Sequence, residues 1–173
     1  MNEKLMPESN EYGSFYETYI SYVRGKDPLD LMLSQIGVLR EYFVGVTEEV
    51  AQSNYDDGKW SYKEVIGHIN DTEKIMLYRA LCIARNEKIK LPGYEQEEYV
   101  KAANFNQIPL AILLDDFEQS RKLMVPFFKN LPDEALTRIG NANGYDLSVR
   151  ALLNIIPGHF EHHMRILHER YGR

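Results

Sequence analysis

The chain has 173 residues, 44% hydrophobic and 27% charged, the proportions of one compact domain with a buried core and not of a disordered chain. A formal net charge of −6, with no local stripe of Lys and Arg, repels phosphate backbones and argues against nucleic acid as a partner. No stretch reaches the roughly 18 apolar residues of a membrane span, the N-terminal segment is charged throughout, and the single cysteine, Cys82, can form no intrachain disulfide. A cytoplasmic protein with no membrane partner is the expectation.

Residues 1–173 are read as a single domain, with 1–27 as an N-terminal extension packed on the rest. Tyr12, Tyr16, Tyr19 and Tyr22 recur there at three- to four-residue spacing, a stripe that predicts docking by packing. The first long helix starts at a clear signal, Asp27 as N-cap, Pro28 at the first helical position and Asp30 in the positive first turn, and is expected to run to about Gly45. Its apolar positions, among them Met32, Ile36, Leu39 and Phe43, spill onto a second face, as in a buried bundle helix.

A second helix is predicted from Ser61 to about Asn86. In WSYKEV, Ser61 can cap the helix while Glu64, three residues on, reaches back to the Ser61 N–H, and Trp60 and Val65 sit where a hydrophobic staple packs. Residues 87–107 lose periodicity around Pro92-Gly93 and read as a long connection with one short helical turn at most. A third helix begins near Pro109, with Pro126 expected to bend or end it. A polar, Gly-containing stretch over 132–145 shows no strand pair. The fourth helix is expected to start at Asp146 or Ser148 and run to Tyr171, with Gly172 as terminator. The fold class predicted is all-α, a four-helix bundle with a long crossover connection.

Four of the five histidines lie in the last helix, in GHFEHHMRILHERYG. His159 and His163, four apart, are one turn above each other, so both rings can reach one ion. With His159 at zero on the helical wheel, His163 falls at about 40° beside Leu152 and Ile156, whereas His162 falls near about 300° and His168 near about 180°. Taken alone the pair is weak evidence for a metal, because it lacks the intervening Glu of H-E-x-x-H, and a partly buried pair with ordinary hydrogen bonds is the preferred reading. His68, on the edge of the second helix's apolar arc, raises the metal reading, because metal sites of bundles draw ligands from facing helices. Cys82 shares the His68 face but lies about 21 Å further along the axis, too far to join the same ion. Glu64 is accounted for by its cap. Asp71 and Glu73 are read as partners of a histidine N–H or, preferentially, as the outer face of a charged helix. No Gly-rich phosphate loop, G-x-S-x-G elbow, H-E-x-x-H motif or EF-hand loop is present.

The segments KWSYKEVIGHINDTEKIMLYRAL and PGHFEHHMRILHERYG, with LPGYEQEEYV between them and EYGSFYETYISYV before, resemble the DinB-like (YfiT-like) metal-binding four-helix bundles over most of the chain. The resemblance implies one divalent transition-metal ion per chain, nickel or zinc, held by His68, His159 and His163, the residues the wheel selects independently. It implies thiol S-transferase chemistry with a low-molecular-weight thiol and a small-molecule substrate, or metal-dependent hydrolysis, and a homodimer. A non-catalytic metal-binding stress-response protein is the alternative from a different class. One departure is Pro157, directly before Gly158-His159, which deletes the bond to the Leu153 carbonyl and is expected to kink the helix, at about 3 kcal/mol if uncompensated.

Overall fold

The computed structural model describes residues 3–172; Met1, Asn2 and Arg173, which the domain reading includes, lie outside the described residues. Four long helices carry the architecture: α2 (Pro28–Tyr42), α4 (Tyr62–Ala84), α6 (Leu110–Lys129) and α8 (Val149–Arg170), with the short helices α1 (Glu17–Val23), α3 (Glu48–Ala51), α5 (Gln96–Ala103) and α7 (Asp133–Leu136) and a hairpin of β1 (Ile139–Ala142) and β2 (Tyr145–Ser148) between them. None of these helices is long and apolar enough to cross a membrane.

The helices start where local chemistry dictates. The Asp27 side chain accepts from the N–H groups of Leu29 and Asp30, and the Ser61–Glu64 capping box is complete, with Ser61 Oγ accepting from the Glu64 N–H and Glu64 accepting from the Ser61 N–H. Ser148, the last residue of β2, caps α8 through the Ala151 N–H, so the fourth helix begins at the later of the two expected positions.

α4 packs on α6 and α8, and α2 packs on the same two helices, so α2 faces α4 and α6 faces α8 across the bundle. Helices consecutive in sequence are therefore diagonal partners at two of the three junctions. The crossing connections are residues 43–61 and 130–148, while the 85–109 connection, expected to hold one turn at most, joins neighbours and contains α5. α6 continues past Pro126 to Lys129 and α8 continues through Pro157.

The polar stretch 132–145 departs from expectation: it carries the antiparallel β1–β2 hairpin, Ile139 opposite Ser148 and Ala142 opposite Tyr145. Its tip is Asn143-Gly144 with φ of 54° and 80°, the left-handed pair that a two-residue hairpin turn matched to strand twist requires. The hairpin lies beside α8 and α4 and leads the chain into the fourth helix.

The apolar interior falls into two clusters. One gathers Ile20, Met76, Met124, Leu147 and Leu152; the other gathers Leu39, Ile66, Phe117 and Phe160. Between them, by position along each long helix, lie the buried polar residues Gln35, Glu73, Arg121 and His159. Gln35 donates to the Pro157 carbonyl at 3.1 Å and to Glu161 at 2.7 Å, tying α2 to α8 beside the proline.

Candidate metal centre

The three histidines singled out by the wheel come together. His68 projects from α4, and His159 and His163 project one turn apart from α8, the helix packed against it. All three are buried, and one ring nitrogen from each lies within 4.8 Å of the others. His159 Nε2 is 3.1 Å from His68 Nε2 and 3.0 Å from His163 Nε2.

Two glycines permit this geometry. A Cβ on Gly158 would stand 2.1 Å from the Tyr19 carbonyl oxygen, so only glycine lets the backbone of α1 close on α8 next to His159. A Cβ on Gly67 would stand 2.4 Å from the Phe105 ring, which seals the side of α4 next to His68. With α1 so close, Tyr19 sets its ring edge-on to His159 at 5.4 Å, and Trp60 stands 4.7 Å from the His68 ring, giving the cluster aromatic walls.

Burial lowers the His68 pKa to about 4, with the nearby His162 adding to the effect, and lowers His159 and His163 well below the ordinary histidine value, reinforced by the neighbouring rings. All three imidazoles are therefore neutral at pH 7, the form that binds metal. Hydrogen bonding alone does not account for their arrangement. A neutral imidazole Nε2 is either one donor or one acceptor, so His159 Nε2 can satisfy only one of its two short contacts. An ion shared by the three lone pairs satisfies both. At metal–nitrogen distances of about 2.0–2.1 Å, adjacent ligand nitrogens stand about 2.9 Å apart in octahedral and about 3.3 Å apart in tetrahedral coordination, and the observed 3.0 and 3.1 Å fall between. The residues present fit a divalent ion. Among the described residues His159 Nδ1 is buried with no hydrogen-bond partner, so none of them fixes that ring's tautomer.

The remaining histidines stay out of the cluster. His162, half-buried, is held between the rings of Tyr19 at 5.4 Å and Tyr22 at 6.4 Å, and exposed His168 sits edge-on to Tyr42 at 4.8 Å. Glu73 departs from both readings made of it, because α6 covers its side of α4 and Arg121 pairs with it; neither a histidine partner nor an outer face describes it. Asp71 is half-buried, and desolvation raises its pKa.

Two cavities reach the cluster, at different histidines. The first, about 330 Å³, touches His159 and is lined by Tyr16, Tyr19, Thr72, Arg79 and Tyr94. The second, about 290 Å³, touches His163 and is lined by Tyr55, Trp60, Val65, His162 and Tyr171. Gln96, at the start of α5, borders both. The tyrosine stripe thus does more than dock the N-terminal segment: Tyr16 and Tyr19 also form cavity wall. Thr72, Met76 and Arg79 were within reach of the sequence, since they follow His68 at about 40°, 80° and 20° on the α4 wheel. Tyr94 and Gln96 carried no such signal.

Comparison with known proteins agrees with this reading. The chain is similar to two proteins of Oceanobacillus iheyensis provisionally named metal-dependent hydrolases, one 23% identical over 128 residues, 73% of each chain, and one 20% identical over 128 residues, 73% of this chain and 74% of the relative. Its fold is similar to that of YfiT from Bacillus subtilis, provisionally described as a metal-dependent hydrolase with an unusual four-helix bundle topology, with a TM-score of 0.72, 14% identity and 82% of each chain covered. The model of the DinB superfamily matches residues 34–167, which include all three clustered histidines, and the chain belongs to that superfamily.

Proposed function

We propose that this protein is a metal-dependent enzyme that transfers a small thiol to an electrophile at a divalent ion, nickel or zinc, held by His68, His159 and His163. The observation that supports it best is that two cavities meet the histidine cluster, one at His159 and one at His163, which provides room for two reactants. A divalent ion bound there supplies Lewis acidity that favours thiolate over thiol near neutral pH.

The chain's own contribution is positional. Burial keeps the three imidazoles neutral, three protein ligands leave at least one coordination position over, and the rings of Tyr19 and Trp60 pack against His159 and His68 and brace them. In the transfer a carbon–sulfur bond forms, the leaving group departs with the electron pair of its own bond, and the thiol proton is released to solvent. Cys82 has no part in it, about 21 Å along α4 from His68.

Hydrolysis is the second reading, favoured by the names of the relatives, and would need one cavity and water. To separate the two, zinc- and nickel-loaded protein is assayed with a panel of cellular thiols and a chromogenic electrophile, beside ester and amide substrates without thiol. Thiol-dependent turnover that survives Cys82→Ser and is lost in His163→Ala is expected. Turnover only without thiol would move the assignment to hydrolysis, and none in either panel would favour a non-catalytic metal-binding protein.

A further inference from the structure

The first cavity holds a cation with no counter-charge. Arg79 is 2% exposed, and among the described residues no carboxylate forms an ion pair with it. One terminal nitrogen donates to the Pro92 carbonyl at 2.9 Å, the other meets Met76 Sδ at 3.7 Å, the Tyr94 ring centre lies 6.0 Å from the guanidinium carbon, and the Tyr16 hydroxyl is a further hydrogen-bonding neighbour. Arg121, the other deeply buried arginine, has Glu73. A guanidinium taken out of water without a counter-charge is costly, and two of its five N–H donors are left over by these contacts.

The carboxylates nearest this cavity do not fill that role. Glu95 is exposed on its rim, and the charge of half-buried Asp71 is offset by Lys74. Between Arg79 and His159 the walls are ring faces and hydroxyls: Tyr16, Tyr19, Tyr94 and Thr72, the last two hydrogen-bonded at 2.7 Å. Such walls suit an alkyl or peptide-like chain with few charges along it. Arg79 lies about 16 Å beyond His68 along α4, and it lines the same cavity of about 330 Å³ as His159.

We infer that Arg79 is a carboxylate-binding residue, and that the substrate in this cavity is a small elongated molecule with its carboxylate on the guanidinium and its reacting group beside His159. The fork of N–H donors matches the two oxygens of a carboxylate. The inference rests on the reading of the histidine cluster as the reacting end, but carboxylate binding itself needs no metal.

The test therefore has two arms. By calorimetry, metal-free protein is expected to bind hexanoate at least tenfold more tightly than hexanamide, with the preference lost in Arg79→Gln and Arg79→Met and partly kept in Arg79→Lys. Folding of each variant is checked by circular dichroism, and the Lys variant keeps the comparison decisive if the other two fail to fold. Hexanoate binding no tighter than hexanamide, or a preference indifferent to every folded variant, would overturn the inference. With zinc-loaded protein, 6-mercaptohexanoate is expected to exceed 6-mercaptohexanol at least tenfold in kcat/KM, through KM, and mono(4-nitrophenyl) adipate to exceed 4-nitrophenyl hexanoate likewise if the chemistry is hydrolysis. Equal turnover within a working pair would overturn the substrate assignment and leave the enzymatic reading standing. Arg79-dependent hexanoate binding without turnover of any pair would do the reverse.

Discussion

Two buried polar groupings stand within a few turns of each other on α4, and they are built on opposite principles. Glu73 and Arg121 answer each other's charge: Arg121 Nε lies 2.9 Å from both carboxylate oxygens and a terminal nitrogen lies 2.6 Å from one of them, with the guanidinium carbon 4.8 Å from the Phe117 ring centre and 5.6 Å from that of Phe160, although Arg121 Nη1 is buried with no hydrogen-bond partner among the described residues. Burial pushes the Glu73 carboxyl above its ordinary range, and the guanidinium is the counterweight. His68, His159 and His163 bring three like groups together, a ring nitrogen of each close to the other two and no opposite charge among them. A buried charge matched within the chain is architecture, whereas three imidazole nitrogens gathered at one point fit a socket for an ion the chain does not itself contain.

The largest expected effect tests the socket. Replacing His68, His159 or His163 by Ala should lower metal affinity by more than about 100-fold, beyond the range seen when only a supporting partner of a ligand is lost, while the His162 and His168 alanine variants should keep one equivalent. Elemental analysis of dialysed protein reads this directly, and equal loss at His162 would break the assignment.

Next in size is the architectural pair. Arg121→Met strands a buried carboxylate and should destabilise the fold by about 3–5 kcal/mol in urea unfolding, much of it recovered in Arg121→Met/Glu73→Leu. A single variant as stable as the parent would show that the pair is not what holds α4 to α6.

Acid sharpens the contrast. The folded pKa of His68, about 4, lies below the unfolded value near 6.5, so between those values the unfolded chain binds more protons and stability rises with pH. Metal-free protein should therefore lose stability as pH falls from about 6.5 towards about 4, with His68→Gln flattening the profile of melting temperature against pH. An unchanged slope would remove His68 from the account.

The smallest effect is local. Ser61→Ala removes a helix cap and should cost about 1 kcal/mol, with metal stoichiometry unchanged because His68 sits two turns into α4. Metal loss in this variant would mean that the socket depends on the helix end.

What the sequence made legible was what short-range chemistry governs. Asp27, Ser61 and Ser148 mark helix starts because a cap is a contact between residues two or three apart. The histidine set was readable because α8 presents His159 and His163 on one face and α4 presents His68 on its apolar arc. The hairpin was missed because its strands are only four residues each and carry polar residues such as Asn141 and Asp146, which erases the alternation, although Asn143-Gly144 was the available signal. Glu73 was misjudged because a one-sided wheel fails for a helix covered by both α6 and α8. Arg79 shares the His68 face, yet its significance depends on Tyr16 and Tyr94, which arrive from distant stretches of chain.

The close approach of Tyr19 to Gly158 has a consequence for how this protein can change. All three clustered histidines lie inside residues 34–167, the span shared with the superfamily, whereas Tyr16 and Tyr19 come from the arm before it. Gly158 is where the histidine-bearing helix α8 meets the N-terminal arm. Substitutions in the arm can reshape the chamber beside His159 while leaving every metal-facing side chain in place, so ligand choice and ion retention can be altered independently.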